Sequence, residues 1–170
     1  SMSLANEMEA RVIAQVRQKL RQAPTPEGLD EDDELLDVQL LRFVREHGMK
    51  ADKVESCFRK RLAWKAKTFA NPIFDERLRG QLPPEQWMSC AMMPKGEWAC
   101  GYVAIGLNCG LSKLGNPVKI ERIGRYDIKG MQRCKGGDED LKMFYLAMVE
   151  HISHRLDFMT MEEGKLQQTY

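Results

Sequence analysis

Residues 138–156 constrain this chain more than any other stretch. Behind Gly136-Gly137, the acids Asp138-Glu139-Asp140 lead into Leu141, Phe144, Tyr145, Met148, Val149, Ile152 and Leu156. Carboxylates suit a first helical turn, whose N–H groups lack partners, and the apolar spacing behind them is helical. Positions 141, 145, 148, 152 and 156 draw a wide stripe along one side, and such a stripe has to be buried. Its cover must be a hairpin, the N-terminal helices or another copy of the chain. The last choice would give self-association through helix 141–156. At 170 residues, 43% of them hydrophobic, the chain can bury a core of its own.

The rest of the sequence offers candidates for that cover. From Ala5 to Arg21, Met8, Val12, Ile13, Val16 and Leu20 predict an amphipathic helix that Pro24 and Pro26 close. The acids Asp30 to Glu34 then cap a second helix, with Leu36, Leu40, Phe43 and Val44 on one face and Gly48 as its stop. A third helix begins near Ala51-Asp52 and carries Val54, Cys57, Phe58, Leu62 and Trp64. Its other side is basic, through Arg59, Lys60, Arg61, Lys65 and Lys67. That side reads either as a solvated face or as one attracted to an anionic membrane. A short helix at Phe74–Leu78 and a helix start at Pro84-Glu85-Gln86-Trp87 follow. Beyond Gly96 the pattern changes: residues 98–105 and 117–124 read as strands, joined by the Gly/Asn/Ser-rich loop Leu107–Asn116. The expected class is mostly α with a β-hairpin, an α+β arrangement.

Charge and motif content narrow the function. With 26 Lys+Arg against 25 Asp+Glu, net +1, the chain lacks the surplus that drives bulk nucleic-acid binding. No apolar run approaches the eighteen or so residues of a membrane span, and no secretory signal opens the sequence. Five cysteines at irregular spacing, with no C-x-x-C, predict reduced thiols in a cytoplasmic protein. His151 and His154 sit at i, i+3 beside Glu150, but H-E-x-x-H is absent and no third ligand completes a metal site. The acids at 30–34 lack the glycine and spacing of a calcium loop. Without a nucleophile elbow, a P-loop or a G-x-G-x-x-G, no catalytic residue is nominated, no cofactor is expected, and the chain is not read as an enzyme.

Two segments carry a more specific signal. Leu40-Leu41-Arg42-Phe43-Val44-Arg45 follows the acidic cap and precedes Trp64-Lys65 by about twenty residues. Gly115-Asn116-Pro117-Val118-Lys119-Ile120-Glu121-Arg122-Ile123-Gly124-Arg125-Tyr126-Asp127 runs on into Ile128-Lys129-Gly130-Met131. In order and spacing these resemble the "L-L-R-F-L-R … W-R" and "G-x-P-V … I-G … D-P-K-G-L" motifs of the CRAL-TRIO lipid-binding family. Cys100-Gly101-Tyr102 is similar to the "C-G-Y" of that family's hairpin.

The resemblance implies a helical N-terminal subdomain, expected at 3–95, followed at 96–170 by the incomplete start of an α/β lipid-binding domain. In the family, the helix matching 138–158 leads into the first long core strand, so a fragment unable to enclose ligand by itself is expected. The implied activity is non-enzymatic binding, transfer or presentation of a phospholipid or other hydrophobic ligand by a cytoplasmic, peripherally membrane-associated protein. It implies lipid-binding roles for Arg45, His47, Tyr102 and Lys119, and a membrane or partner surface at Arg59, Lys60 and Arg61. His47-Gly48 stands where transfer proteins often carry Arg-Lys, and Lys119 where yeast-type members carry tyrosine. These departures weaken the case for phosphoinositide specificity, although the Lys119 ammonium could still meet a phosphate. The alternative reading is a protein-interaction module that docks through the basic helix face.

Overall fold

The structure, a computed structural model, describes residues 4–22, 34–69, 89–107 and 109–168. They are mostly helical, with a small two-stranded antiparallel sheet, as the periodicities require. The chain divides into two compact units: Ser1–Asn71 with Thr160–Leu166, and Pro72–Met159 with Gln167–Tyr170. The boundary drawn from sequence, between 95 and 96, falls inside the second. Among the described residues no helix is long and apolar enough to cross a membrane. The expected helices at Phe74–Leu78 and Pro84–Trp87, and the acids Asp30–Asp33, lie outside the described residues.

The first unit is built on α1 (Glu7–Gln22), α2 (Glu34–His47) and α3 (Ala51–Phe69). Its core joins Val12, Ile13, Val16 and Leu20 of α1 to Leu36, Leu40, Leu41 and Val44 of α2 and Val54 and Phe58 of α3. Each such side chain, fully buried, stabilises by about 1.5–3 kcal/mol before chain entropy is counted. Two expectations need correction. Met8 is 63% exposed, because an i, i+4 series drifts by about 40° per step and leaves the buried face. Trp64 is 47% exposed, because six residues past Phe58 turns it about 120° from that core position. Gly48 ends α2 as expected, at φ 86, with its N–H donating to Val44 O at 2.8 Å. The left-handed backbone there favours glycine.

Among the described residues of the second unit, a 3-10 turn at Cys90–Met92 comes first, followed by α4 (Gly96–Ala99), β1 (Ile105–Gly106) and β2 (Ile120–Glu121). A second 3-10 turn, Ile123–Arg125, precedes α5 (Ile128–Arg133) and α6 (Gly137–Glu163). The strand expected over 98–105 is replaced by helix and turn as far as Tyr102. Gly96 allows this: a Cβ there would lie 1.9 Å from the Cys90 carbonyl oxygen, so only glycine lets α4 start against that turn. The hairpin itself exists, with Ile105 opposite Glu121 and Gly106 opposite Ile120. It also reaches into the expected loop, through Cys109 N to Val118 O at 3.1 Å and Val118 N to Gly110 O at 3.0 Å. A turn closes it, Gly115 N donating to Ser112 O at 2.9 Å, with Gly115 at φ 82.

Helix α6 is present as expected, but its buried positions are not the expected stripe. Leu141, Tyr145, Ile152 and Leu156 are half-buried, whereas Phe144, Ala147, Met148 and His151 are buried. Further on, Asp157 and Thr160 are buried while Phe158 is 48% exposed. His151 and Thr160, at 1% and 0% exposure, are nine residues apart and so lie about 180° apart on the helix. The buried side therefore changes face along α6. A single-stripe reading of the sequence has no means of showing that. Thr160 and Leu166 belong to the first unit, where Arg42 Nη2 donates to Thr160 Oγ1 at 3.2 Å and Leu166 packs on the core.

Candidate ligand-binding site

Arg45 and His47 lie at the end of α2, in the first unit. Arg45 is bound into the fold: Nε donates to Glu9 Oε1 at 2.8 Å, and Nη2 to Glu9 Oε2 at 3.2 Å and Leu4 O at 3.1 Å. Glu9 is itself buried, and it closes a reciprocal cap on α1. Its N–H donates to Asn6 Oδ1, and its Oε2 accepts from Asn6 N, both at 2.9 Å. The Arg45 guanidinium holds the Glu9 carboxyl below the usual carboxylate range, and the carboxylate in turn raises Arg45. His47 packs its ring 5.5 Å from Phe43. The pair thus anchors α2 to α1 and leaves Arg45 little freedom to move toward a ligand. The Asn6-x-x-Glu9 spacing was the available signal for this arrangement.

Arg59 is likewise engaged, donating from Nε to Glu55 Oε1 at 2.7 Å and from Nη2 to the carbonyl of Lys19 at 3.0 Å. Arg61 lies over the Phe43 ring, 5.7 Å from its centroid, where a cation is attracted to the aromatic face. Lys60 is exposed. The three basic residues grouped by sequence therefore point to three different surroundings. Consecutive helical positions do not share a face.

Tyr102 and Lys119 belong to the second unit, each with a partner of its own. The Tyr102 hydroxyl is 3.1 Å from Cys134 Sγ, and this bond is the main cause holding its ionisation above the ordinary value. Its ring lies 5.3 Å from that of Trp98. Lys119 pairs with Glu121, and that ammonium is the main cause keeping the Glu121 carboxyl low. Glu121 Oε2 also accepts from Tyr126 OH at 2.8 Å, and Tyr126 OH accepts from Tyr145 OH at 3.3 Å. Burial, then these bonds, pushes the Tyr126 phenol strongly up. Lys119, Glu121, Tyr126 and Tyr145 thus form a polar chain linking β2 to α6. Sequence reasoning missed Glu121, Tyr126 and Tyr145 as a set, since 19 residues separate the two tyrosines.

Beside this network an open pocket of about 330 Å³ is lined by Ala104, Ile105, Gly106, Cys109, Ile120 and Arg122. Its size is at the low end for small-molecule sites. The walls are apolar apart from Arg122, so it suits an apolar group carrying an anionic end. Ile120, Ile123, Leu111 and Leu114 on the same hairpin and its following turn are 48–71% exposed. Cys90, whose Sγ lies 3.5 Å from Ile105 O, is pushed up to about 11 by burial and so stays a protonated thiol at neutral pH. Among the described residues no group of three or more His, Cys, Asp or Glu is placed to hold a metal ion. Compared with family models, characterised proteins and solved structures, the chain matches none at a significant level.

Proposed function

We propose that this chain is the N-terminal part of a CRAL-TRIO-type protein that binds and transfers or presents a phospholipid or other hydrophobic ligand at membranes, without chemistry. The motif order over residues 30–131 suggests the family. The observation that carries the reading furthest is the exposed apolar surface around the hairpin, with Ile120 and Arg122 at the open pocket. An acyl chain gains about 0.8 kcal/mol per buried methylene, so a lipid site needs extended apolar walls. Two strands of two residues each provide an edge of such a wall and not an enclosure. In this reading Lys119 and Tyr102 support the hairpin, and Arg122 is the cation nearest an incoming anionic group.

Titration of fluorescent phospholipid and of tocopherol tests this, using the 170-residue chain and a form extended by about one hundred residues, an ordinary domain's worth. Tight binding by the long form and weak binding by the short one is expected. Equal, tight binding by the short form would overturn the incomplete-cavity reading, and binding by neither would overturn the lipid reading itself.

A further inference from the structure

We infer that the outer face of α3 is a docking surface for an anionic phospholipid bilayer. Of the consecutive cations that stand out in the sequence, Arg59, Lys60 and Arg61, only Lys60 belongs to it. Lys53, Ser56, Lys60, Ala63, Trp64 and Lys67 are all exposed. At 3.6 residues per turn they fall on one side of the helix, along a stripe about 21 Å long. The opposite side is spent on the core through Val54 and Phe58. Arg59 and Arg61 are taken by Lys19 O, Glu55 and the Phe43 ring.

The charge on this stripe is of one sign. The two acids of α3 are both paired, Asp52 with Lys19 at 2.8 Å and Glu55 with Arg59 at 2.7 Å. Lys53, Lys60 and Lys67 make no ion pair among the described residues. Between the last two stands Trp64, 47% exposed, at i+4 from Lys60 and i−3 from Lys67. Tryptophan favours the headgroup level of a bilayer, where its ring is partly buried and its N–H stays wet. Lysines on either side can keep their ammonium groups among lipid phosphates while their methylene stems lie flat. Ser56 and Ala63 are small, so Trp64 is the one bulky side chain between the lysines of the stripe. Three cations and an aromatic ring in a straight row fit a planar anionic surface better than a concave ligand site.

The inference rests on the reading of the chain as a protein that works at membranes. The vesicles used to test it carry no cargo ligand, so it fails or stands separately from the ligand titration. Sedimentation with vesicles of phosphatidylcholine, and of phosphatidylcholine with about a third phosphatidylserine, measures the binding directly. The full chain is expected to bind the anionic vesicles, less so as salt rises, and to leave the neutral ones in solution. K53E/K60E/K67E is expected to lower that binding by about tenfold or more. Trp64→Ala should lower it by roughly three- to tenfold. K113E/R125E/K129E makes the same change of charge in the second unit and is expected to stay within about twofold of the parent. K53Q/K60Q/K67Q, a milder change, serves if the reversal disturbs helix content. No binding of the parent to anionic vesicles, equal binding to neutral ones, or equal loss in the two reversal variants would overturn the inference. Unchanged vesicle binding by K53E/K60E/K67E would overturn it too, leaving the face to an acidic protein partner.

Discussion

The two units hold together by different means. In the first, ten buried apolar side chains from three helices form one contiguous cluster. Ionic contacts such as Arg17 to Asp37 at 2.7 Å lie at its edge. The second also buries apolar residues, among them Met93, Val103, Met131, Phe144 and Met148, but its hairpin region relies on caps, close glycines and a polar chain, and leaves Leu111, Leu114, Ile120 and Ile123 in solvent. Asp127 Oδ1 accepts from Gly130 N at 2.8 Å to start α5, and Lys95 reaches Asp140 at 3.0 Å. A core tolerates the loss of a polar partner and suffers from a cavity. A scaffold of turns suffers from an added methyl group.

The sharpest test of that contrast exchanges the two insults. Phe58→Ala, at a wholly buried position, should cost about 3–4 kcal/mol. Hydrogen exchange should accelerate across α1–α3 while the hairpin amides keep their protection. Gly96→Ala should do the reverse, costing about 3 kcal/mol as the new Cβ meets backbone. Exchange that rises in both units for either variant would break the comparison.

A smaller effect concerns the ion pair. Arg45→Ala should cost about 1–2 kcal/mol by denaturant unfolding, because Arg45 is 42% exposed and solvent replaces part of its contact with Glu9. The pair also sets a pH dependence. Glu9 has a folded-state pKa below its ordinary 4.5, so its contribution is complete above that value and is lost as pH falls through the folded pKa. The parent should lose stability in acid more steeply than Arg45→Ala, which pH-dependent unfolding of the two will show. Smallest is Asp127→Ala, about 1 kcal/mol for a lost N-cap, with faster exchange confined to α5 and its neighbours.

These contrasts bear on what the sequence could reveal. Helical periodicity located α1, α2, α3 and α6, because apolar spacing is a local property. Trp64 and the α6 stripe were misplaced for the opposite reason: which side is covered depends on neighbours distant in sequence. The hairpin was legible from Pro117-Val118-Lys119-Ile120, yet residues 98–102 went to helix and turn because Gly96 permits a tight start that apolar β-formers do not announce. At the candidate site, Lys119 and Tyr102 stood out by type, but not their partners: Glu121 lies two residues further along the chain from Lys119, and Cys134 lies 32 residues away from Tyr102. Arg122 beside the pocket had no signal beyond being one more surface cation.

The return of residues 160–166 to the first unit has a consequence for biosynthesis. Arg42 waits for a hydroxyl 118 positions later in the chain. At about 5–20 residues added per second, roughly five to eighteen seconds pass between completion of α3 and the arrival of Thr160 and Leu166. During that interval the three nascent helices have their own cluster but not Thr160 and Leu166, which finally lie against it.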